Sequence, residues 1–162
     1  MRTGPFILAG GVFLLDQASK SLVRAALRPA ESLEVIPGVF SITLILNPGA
    51  AFGLFPWLGF VLLVVGLAAA AALLWYLWWH RPEPPLLRYG LALALGGVAG
   101  NLVDRATLGR VVDFLDFRIW PAFNIADTAI VTGVALISYE LLGLSSRGRT
   151  TNSSSSPASR GR

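Results

Sequence analysis

The stretch WLGFVLLVVGLAAAAALLWYLWW, residues 57–79, decides the fold, because it holds 23 consecutive residues without a charge. A run of roughly 18 or more apolar residues is long enough to cross the hydrocarbon core of a bilayer as an α-helix. Trp57 begins the stretch and aromatic residues crowd its other end, as in the aromatic belts of membrane–water interfaces. The stretch therefore predicts a transmembrane helix.

Three further apolar stretches predict spans at residues 5–23, 86–103 and 125–144. Apolar residues make up 54% of the chain and charged residues 14%, against about 25% charged in soluble proteins. The basic start and the apolar residues 5–15 also resemble a signal peptide, but no small-residue cleavage site follows them. We therefore predict an all-α membrane fold of four transmembrane helices.

A small β element is expected between the first two spans. Residues 33–46, LEVIPGVFSITLIL, are rich in β-branched side chains and contain the turn dipeptide Pro37-Gly38. They predict a hairpin or small sheet that lies on the membrane surface. Residues 1–144 then form one membrane-embedded domain, and the basic, serine-rich residues 145–162 are predicted to be a disordered cytoplasmic tail.

The distribution of basic residues predicts the orientation. Four spans place both termini on one side, which carries seven basic residues, four of them in the tail, whereas the other side carries six. The side richer in arginine and lysine usually faces the cytoplasm. We therefore expect cytoplasmic termini, with Asp113 and Asp127 on the extracytoplasmic face.

Three carboxylates lie in the otherwise apolar stretch GRVVDFLDFRIWPAFNIADTAI, residues 109–130. A charge at bilayer depth costs roughly 2.5–3.5 kcal/mol, so such acids persist when they are functional or paired. Asp113 has no evident cap or helical partner. Asp116 is either its companion or a solvated side chain. Asp127 follows Asn124 by three residues, so the two also fit a helix N-cap and its first-turn carboxylate.

Other polar residues could have either a structural or a functional role. Asn101, Asp104 and Arg105 share one helix face, where Asp104 and Arg105 could form an ion pair at the membrane edge. Asp16 and Lys20 are spaced as a helical ion pair. Asn47 opens a turn, and its amide could instead donate hydrogen bonds to an extended peptide.

Two carboxylates that lie close together hold one shared proton near neutral pH, because both cannot ionise cheaply. The ionised acid can take a proton from water while the protonated acid polarises a peptide carbonyl. Asp113 and Asp127 are the best pair if the loop between them brings them together. The chain has no cysteine and one histidine, His80, so cysteine chemistry and a histidine triad are disfavoured.

Two rival functions use the same acids. A membrane transferase could bind Mg²⁺ through the oxygens of Asp104, Asp113, Asp116 and Asp127, although no lysine- or arginine-rich phosphate cradle accompanies them. A non-enzymatic carrier could use them as a proton relay, although four short spans leave little room for the repeats of transporters.

Five segments resemble the sequence blocks of bacterial lipoprotein signal peptidases, the signal peptidase II family, and occur in that family's order. They are DQASK (16–20), NPGAAFG (47–53), GNLVDR (100–105), VVDFLDF (111–117) and FNIADTAI (123–130). The resemblance implies a metal-independent aspartyl endopeptidase of the bacterial inner membrane. Such an enzyme removes signal peptides from diacylglyceryl-modified prolipoproteins on the N-terminal side of the lipidated cysteine.

The resemblance also assigns residues and partners. Asp113 and Asp127 match the catalytic aspartates, and no cofactor or metal ligand is implied. The partners are prolipoprotein signal peptides and membrane lipids, with no nucleic acid, and the enzyme is expected to be a monomer. Pro48 and Gly53 depart from the family's usual residues. The matching supporting and substrate-binding residues are Asp16, Lys20, Asn47, Gly49, Ala50, Phe52, Asn101, Asp104, Arg105 and Asn124.

Overall fold

The computed structural model describes residues 3–49, 58–80 and 84–151, and these ranges contain four helices and three strands. The helices are α1 (Gly4–Ala26), α2 (Leu58–Trp79), α3 (Pro85–Leu108) and α4 (Ile125–Thr151), and the strands are β1 (Ser32–Ile36), β2 (Phe40–Asn47) and β3 (Val111–Asp116). Each helix contains a segment long and apolar enough to cross a membrane. The predicted membrane fold of four helices with a small β element is confirmed.

Helix α3 is the centre of the bundle and packs against α1, α2 and α4. Half of its most apolar segment is buried, compared with 17%, 6% and 17% for α1, α2 and α4. Large apolar side chains on the outer helices, such as Ile7, Phe60 and Val131, are exposed on the surface of the bundle. This distribution suits a lipid environment, where apolar side chains need not be buried inside the protein.

Small residues allow the helices to approach closely. A Cβ atom added to Gly133 of α4 would lie 2.5 Å from the Gly90 carbonyl oxygen and 2.9 Å from the Ala94 nitrogen of α3. A Cβ on Gly96 of α3 would lie 2.5 Å from the Ala9 carbonyl oxygen of α1. These contacts leave no room for a side chain, as in membrane helix pairs that meet through small residues.

The three strands form one antiparallel sheet in the order β1-β2-β3. The predicted hairpin is present, and Gly38 adopts the left-handed conformation (φ 70°) that its turn requires. Strand β3 is a correction, because the sequence suggested only a loop between Asp113 and Asp127. Residues 111–115 are apolar around Asp113 and complete the sheet by pairing with β2, with Asn47 opposite Val111.

Two helices extend five or more residues beyond their predicted ends. α3 continues five residues beyond Val103, because Asp104 and Arg105 remain helical, and it ends where Gly109 takes a left-handed C-cap (φ 68°). α4 continues to Thr151, seven residues beyond the predicted domain boundary, and no proline interrupts this segment. The rest of the tail, residues 152–162, lies outside the described residues, and its disorder stays a prediction.

We predict that Gly133→Ala destabilises the bundle by about 1–3 kcal/mol, because the new methyl group would overlap α3 backbone atoms. Gly143→Ala in the same helix is the matched control, since a Cβ there meets nothing within 4 Å. Unfolding midpoints of both variants in detergent micelles provide the measurement. Equal midpoints for the two variants would contradict the packing described above.

Candidate active site

A buried cluster of three charges joins α1 to α3. The Lys20 ammonium nitrogen lies 2.8 Å from Asp16 Oδ2 and 2.9 Å from Asp104 Oδ2, and all three side chains are at most 5% exposed. It also donates a 2.9 Å hydrogen bond to Asn101 Oδ1, so its three donors are all used. The predicted ion pair of Asp16 and Lys20 is therefore present.

Asp104 forms an ion pair with Lys20, and not with Arg105 as the sequence had suggested. Asp104 turns toward Lys20, while Arg105 Nη1 makes a weak 3.4 Å contact with the Asn101 carbonyl oxygen. Residues adjacent on a helix point about 100° apart, so one can face the bundle interior while the other does not. Arg105 nevertheless remains close enough to Asp127 and Asp113 for its positive charge to act on both.

The acids of this cluster also hold backbone groups outside α1 and α3. Asp16 Oδ1 accepts a 2.9 Å hydrogen bond from the Ala126 backbone nitrogen, in the first turn of α4. Asp104 Oδ2 accepts a 3.0 Å hydrogen bond from the Val112 backbone nitrogen in β3. The cluster therefore fixes the residues next to Asp127 and next to Asp113.

Gln17 is a site residue that the sequence analysis did not single out. Its Nε2 atom lies 3.2 Å from Asp16 Oδ2, 3.1 Å from Asp104 Oδ1 and 3.1 Å from the Gly100 carbonyl oxygen. Its position in DQASK, directly after Asp16, was the available signal. The side chain therefore bridges the two acids, bonding Asp104 Oδ1 and the same Asp16 oxygen, Oδ2, that Lys20 contacts.

Two asparagine amides connect the two central carboxylates. Asn101 Nδ2 donates a 2.8 Å hydrogen bond to Asp127 Oδ1, and Asn124 Nδ2 donates one of the same length to Asp113 Oδ1. Asn124 Nδ2 also lies 3.1 Å from Asn101 Oδ1, which links the two amides. The structure thus brings Asp113 and Asp127, 14 positions apart in the chain, into one hydrogen-bond network.

Asn124 and Asp127 also cap α4, as their spacing suggested. Asn124 Oδ1 accepts a 2.9 Å hydrogen bond from the Asp127 backbone nitrogen, and Asp127 Oδ2 accepts a 3.2 Å bond from the Asn124 backbone nitrogen. This reciprocal pattern is a capping box. It fixes the carboxylate of Asp127 without preventing its Oδ1 atom from bonding to Asn101.

Asn47 holds the other side of Asp113. Its Nδ2 atom donates a 2.8 Å hydrogen bond to Asp113 Oδ2, and its Oδ1 atom accepts a 2.8 Å bond from the Gly49 backbone nitrogen. Gly49 has a left-handed backbone (φ 78°), and a Cβ there would collide with the Leu62 side chain. The predicted neighbours Ala50 and Phe52 lie outside the described residues.

The residue Asp113 is only 2% exposed, and its burial disfavours the charged form of the carboxyl group. Burial raises the pKa of Asp113 to about 6, and the negative charge of Asp127 acts in the same direction. Hydrogen bonds from Asn47 and Asn124, and the charge of Lys20, lower the pKa and only partly offset these effects. Asp113 can therefore exchange a proton near neutral pH.

Asp116 is not a companion of Asp113. An odd number of positions separates the two on β3, so their side chains point to opposite faces of the sheet. Asp116 accepts 3.0 Å hydrogen bonds from Thr43 Oγ1 and from the Arg118 backbone nitrogen. The four acids considered for Mg²⁺ thus have separate partners, and in the described ranges no three His, Cys, Asp or Glu residues converge to hold a metal ion.

The network is fully bonded within the described part of the chain, where no buried side-chain nitrogen or oxygen lacks a hydrogen-bond partner. Such complete satisfaction is the condition under which a buried polar network is rigid. Asp113 and Asp127 are therefore held in a fixed relation before any substrate arrives.

Comparison with known proteins identifies this arrangement. A family model described as signal peptidase (SPase) II matches residues 8–143. The lipoprotein signal peptidase of Pelotomaculum thermopropionicum is 50% identical over 137 residues, covering 85% of this chain and 90% of that protein. The lipoprotein signal peptidase of Moorella thermoacetica is 48% identical over 139 residues, covering 85% and 93%.

Two solved structures, both described as bacterial membrane enzymes, have similar folds. One, at 1.9 Å resolution, has a TM-score of 0.78 and 31% identity, and covers 85% of this chain and 92% of that one. The other, at 2.3 Å, has a TM-score of 0.77 and 28% identity, covering 98% and 94%. With four membrane-spanning helices and a family match over most of its length, the chain belongs to the signal peptidase II family of multi-pass membrane peptidases.

Proposed function

We propose that this protein is an aspartyl endopeptidase that removes signal peptides from diacylglyceryl-modified prolipoproteins. The cleaved bond lies on the N-terminal side of the lipidated cysteine. One observation carries the aspartyl mechanism: the buried Asp113, whose pKa is raised to about 6, is connected through two amides to Asp127. The curated relatives, named lipoprotein signal peptidases, support the substrate class.

The reaction needs two acids in different protonation states and no metal ion. Ionised Asp127 accepts a proton from a water molecule, whose oxygen attacks the peptide carbonyl carbon. Protonated Asp113 donates a hydrogen bond to the carbonyl oxygen as negative charge develops there. The proton taken from water then passes to the leaving nitrogen, and the carbon–nitrogen bond breaks. Burial supports Asp113 as the protonated partner.

The supporting residues act by position. Asn47, Asn101 and Asn124 orient the two carboxyl groups through their amides. Asp16, Lys20 and Asp104 fix the backbone on which those groups are carried. Gly49, Ala50, Phe52 and Arg105 are proposed to contact the substrate.

The proposed location rests on the distribution of basic residues, as given above. We place the termini in the cytoplasm and the acids at the extracytoplasmic surface of the bacterial inner membrane. The sheet residue Asp113 and the first-turn residue Asp127 lie at one end of the helix bundle, which supports a site at bilayer-surface depth. A signal peptide is itself an apolar helix, so it can approach laterally while the acyl chains of the substrate stay in lipid. One peptidase domain (residues 1–144), with residues 145–162 as a tail, acts as a monomer.

We predict that Asp113→Asn and Asp127→Asn each lower kcat by about 10²–10⁴-fold or more, because each variant lacks one member of the proton-transfer pair. Cleavage of purified, lipid-modified prolipoprotein is the measurement. Asp116→Asn is the matched control on the same strand and should keep near-normal turnover, since Asp116 faces away from Asp113. The aspartyl mechanism fails if either central variant retains normal kcat, or if the control loses as much.

We predict that kcat/KM falls as the pH rises through about 6, because Asp113 then loses the proton through which it donates a hydrogen bond to the carbonyl oxygen. Asn47→Ala removes a hydrogen bond that favours the charged form, so the pKa of Asp113 rises and the descending limb moves to higher pH. Asp116→Asn should leave the midpoint unchanged. A midpoint that stays in place, or moves to lower pH, in Asn47→Ala would refute this assignment.

A further inference from the structure

The loop between Asp113 and Asp127 has a fixed base. Leu115 and Phe123 exchange two backbone hydrogen bonds, of 2.8 Å from the Leu115 nitrogen and 3.1 Å from the Phe123 nitrogen. The Phe117 ring stacks on Phe123 with ring centres 5.9 Å apart, and it contacts Phe40 of β2 at 4.7 Å. The loop therefore leaves the sheet and returns at one point, beside the catalytic strand.

The tip of this loop is a strained turn. The Ile119 nitrogen donates a 2.7 Å hydrogen bond to the Phe117 carbonyl oxygen, closing a three-residue γ-turn around Arg118, whose φ is 64°. The γ-turn with positive φ is rare, and a non-glycine residue in this region costs on the order of 1–3 kcal/mol. A strained residue persists only where surrounding contacts enforce it.

Those contacts are present on Arg118. Its backbone nitrogen donates a 3.0 Å hydrogen bond to Asp116 Oδ1, and its Nη2 atom donates a 3.0 Å bond to Ser41 Oγ. Asp116 is itself held by Thr43 Oγ1. The polar residues on this face of the sheet thus hold the turn in place, which gives Asp116 a role outside the catalytic pair.

The turn presents two large apolar side chains at the surface. Ile119 is 94% exposed and Trp120 is 70% exposed, on a loop whose base is otherwise packed. A strained turn that is held by hydrogen bonds yet leaves its two largest apolar side chains uncovered is suited to contact with an apolar partner. Such a partner would offset the exposure of both side chains.

We infer that the Ile119–Trp120 tip inserts into the boundary between headgroups and acyl chains of the bilayer leaflet at the sheet end of the bundle. Only four residues separate Trp120 from α4, whose apolar segment from Ile125 is a candidate membrane span, so the tip lies next to that leaflet. Tryptophan favours this depth. Exposed Arg110 and half-exposed Arg118 add positive charge suited to lipid headgroups.

Insertion would fix the depth of the catalytic acids. The loop joins β3, which carries Asp113, to α4, which carries Asp127, and its base is bonded to the sheet. An anchor at its tip therefore sets the level at which both acids stand relative to the membrane surface. This inference does not depend on the proteolytic chemistry.

The experiment uses the absence of cysteine from the chain, which allows single nitroxide labels. Full-length Ile119→Cys protein is labelled, reconstituted without substrate in phospholipid nanodiscs, and probed for collisions with oxygen, which concentrates in lipid, and with a water-soluble nickel chelate. Val131→Cys on the exposed face of the α4 span is the lipid reference, and Ser155→Cys in the polar tail is the water reference. Thermal unfolding checks that each labelled protein is folded.

The label at position 119 should favour oxygen over the nickel chelate, reversing the ratio found at position 155 and approaching that at position 131. A ratio equal to that at position 155 would overturn the inference. A ratio that turns lipid-like only after an acylated substrate is added would also overturn it, because the tip would then bind substrate chains. The readout involves no cleavage, so its failure is distinct from failure of the proposed activity.

Discussion

The rest of the site depends on the buried ion pairs that the Lys20 ammonium group forms with two aspartates. This group lies between Asp16 and Asp104, and the excess negative charge is taken up by backbone N–H groups of Ala126 and Val112. Removing one partner of a buried ion pair costs about 3–5 kcal/mol, because an unpaired charge remains. The cluster therefore couples helix packing to the placement of the carboxyl groups of Asp113 and Asp127, which we propose to be catalytic.

The Lys20 cluster positions Asp113 and Asp127 through residues that are adjacent to them in the chain. The acids of the cluster accept hydrogen bonds from the backbone nitrogens of Ala126 and Val112. These residues directly precede Asp127 and Asp113 in the chain. The amides of Asn101 and Asn124 then span the remaining gap. Because the polar groups around it are paired and buried, Asp113 lies in an environment that disfavours its charged form, and its pKa is raised to about 6.

Features with a local cause could be predicted from the sequence. The spans followed from uncharged runs such as residues 57–79, the hairpin from Pro37-Gly38, and the cap of α4 from the spacing of Asn124 and Asp127. Features with a distant cause could not. β3 becomes a strand by pairing with β2. Asp104 forms its ion pair with Lys20, 84 positions away in the chain, and not with its neighbour Arg105. The role of Gln17 likewise depends on α3 lying beside it.

The proton on the carboxyl pair can be observed directly by infrared difference spectroscopy of the resting enzyme, with aspartate labelled by ¹³C. The account predicts a protonated carboxyl band that disappears with a midpoint at about pH 6 and is absent from Asp113→Asn. A band that has already vanished above the ordinary aspartate pKa of about 3.9 would contradict it. So would a band near pH 6 that survives unchanged in Asp113→Asn.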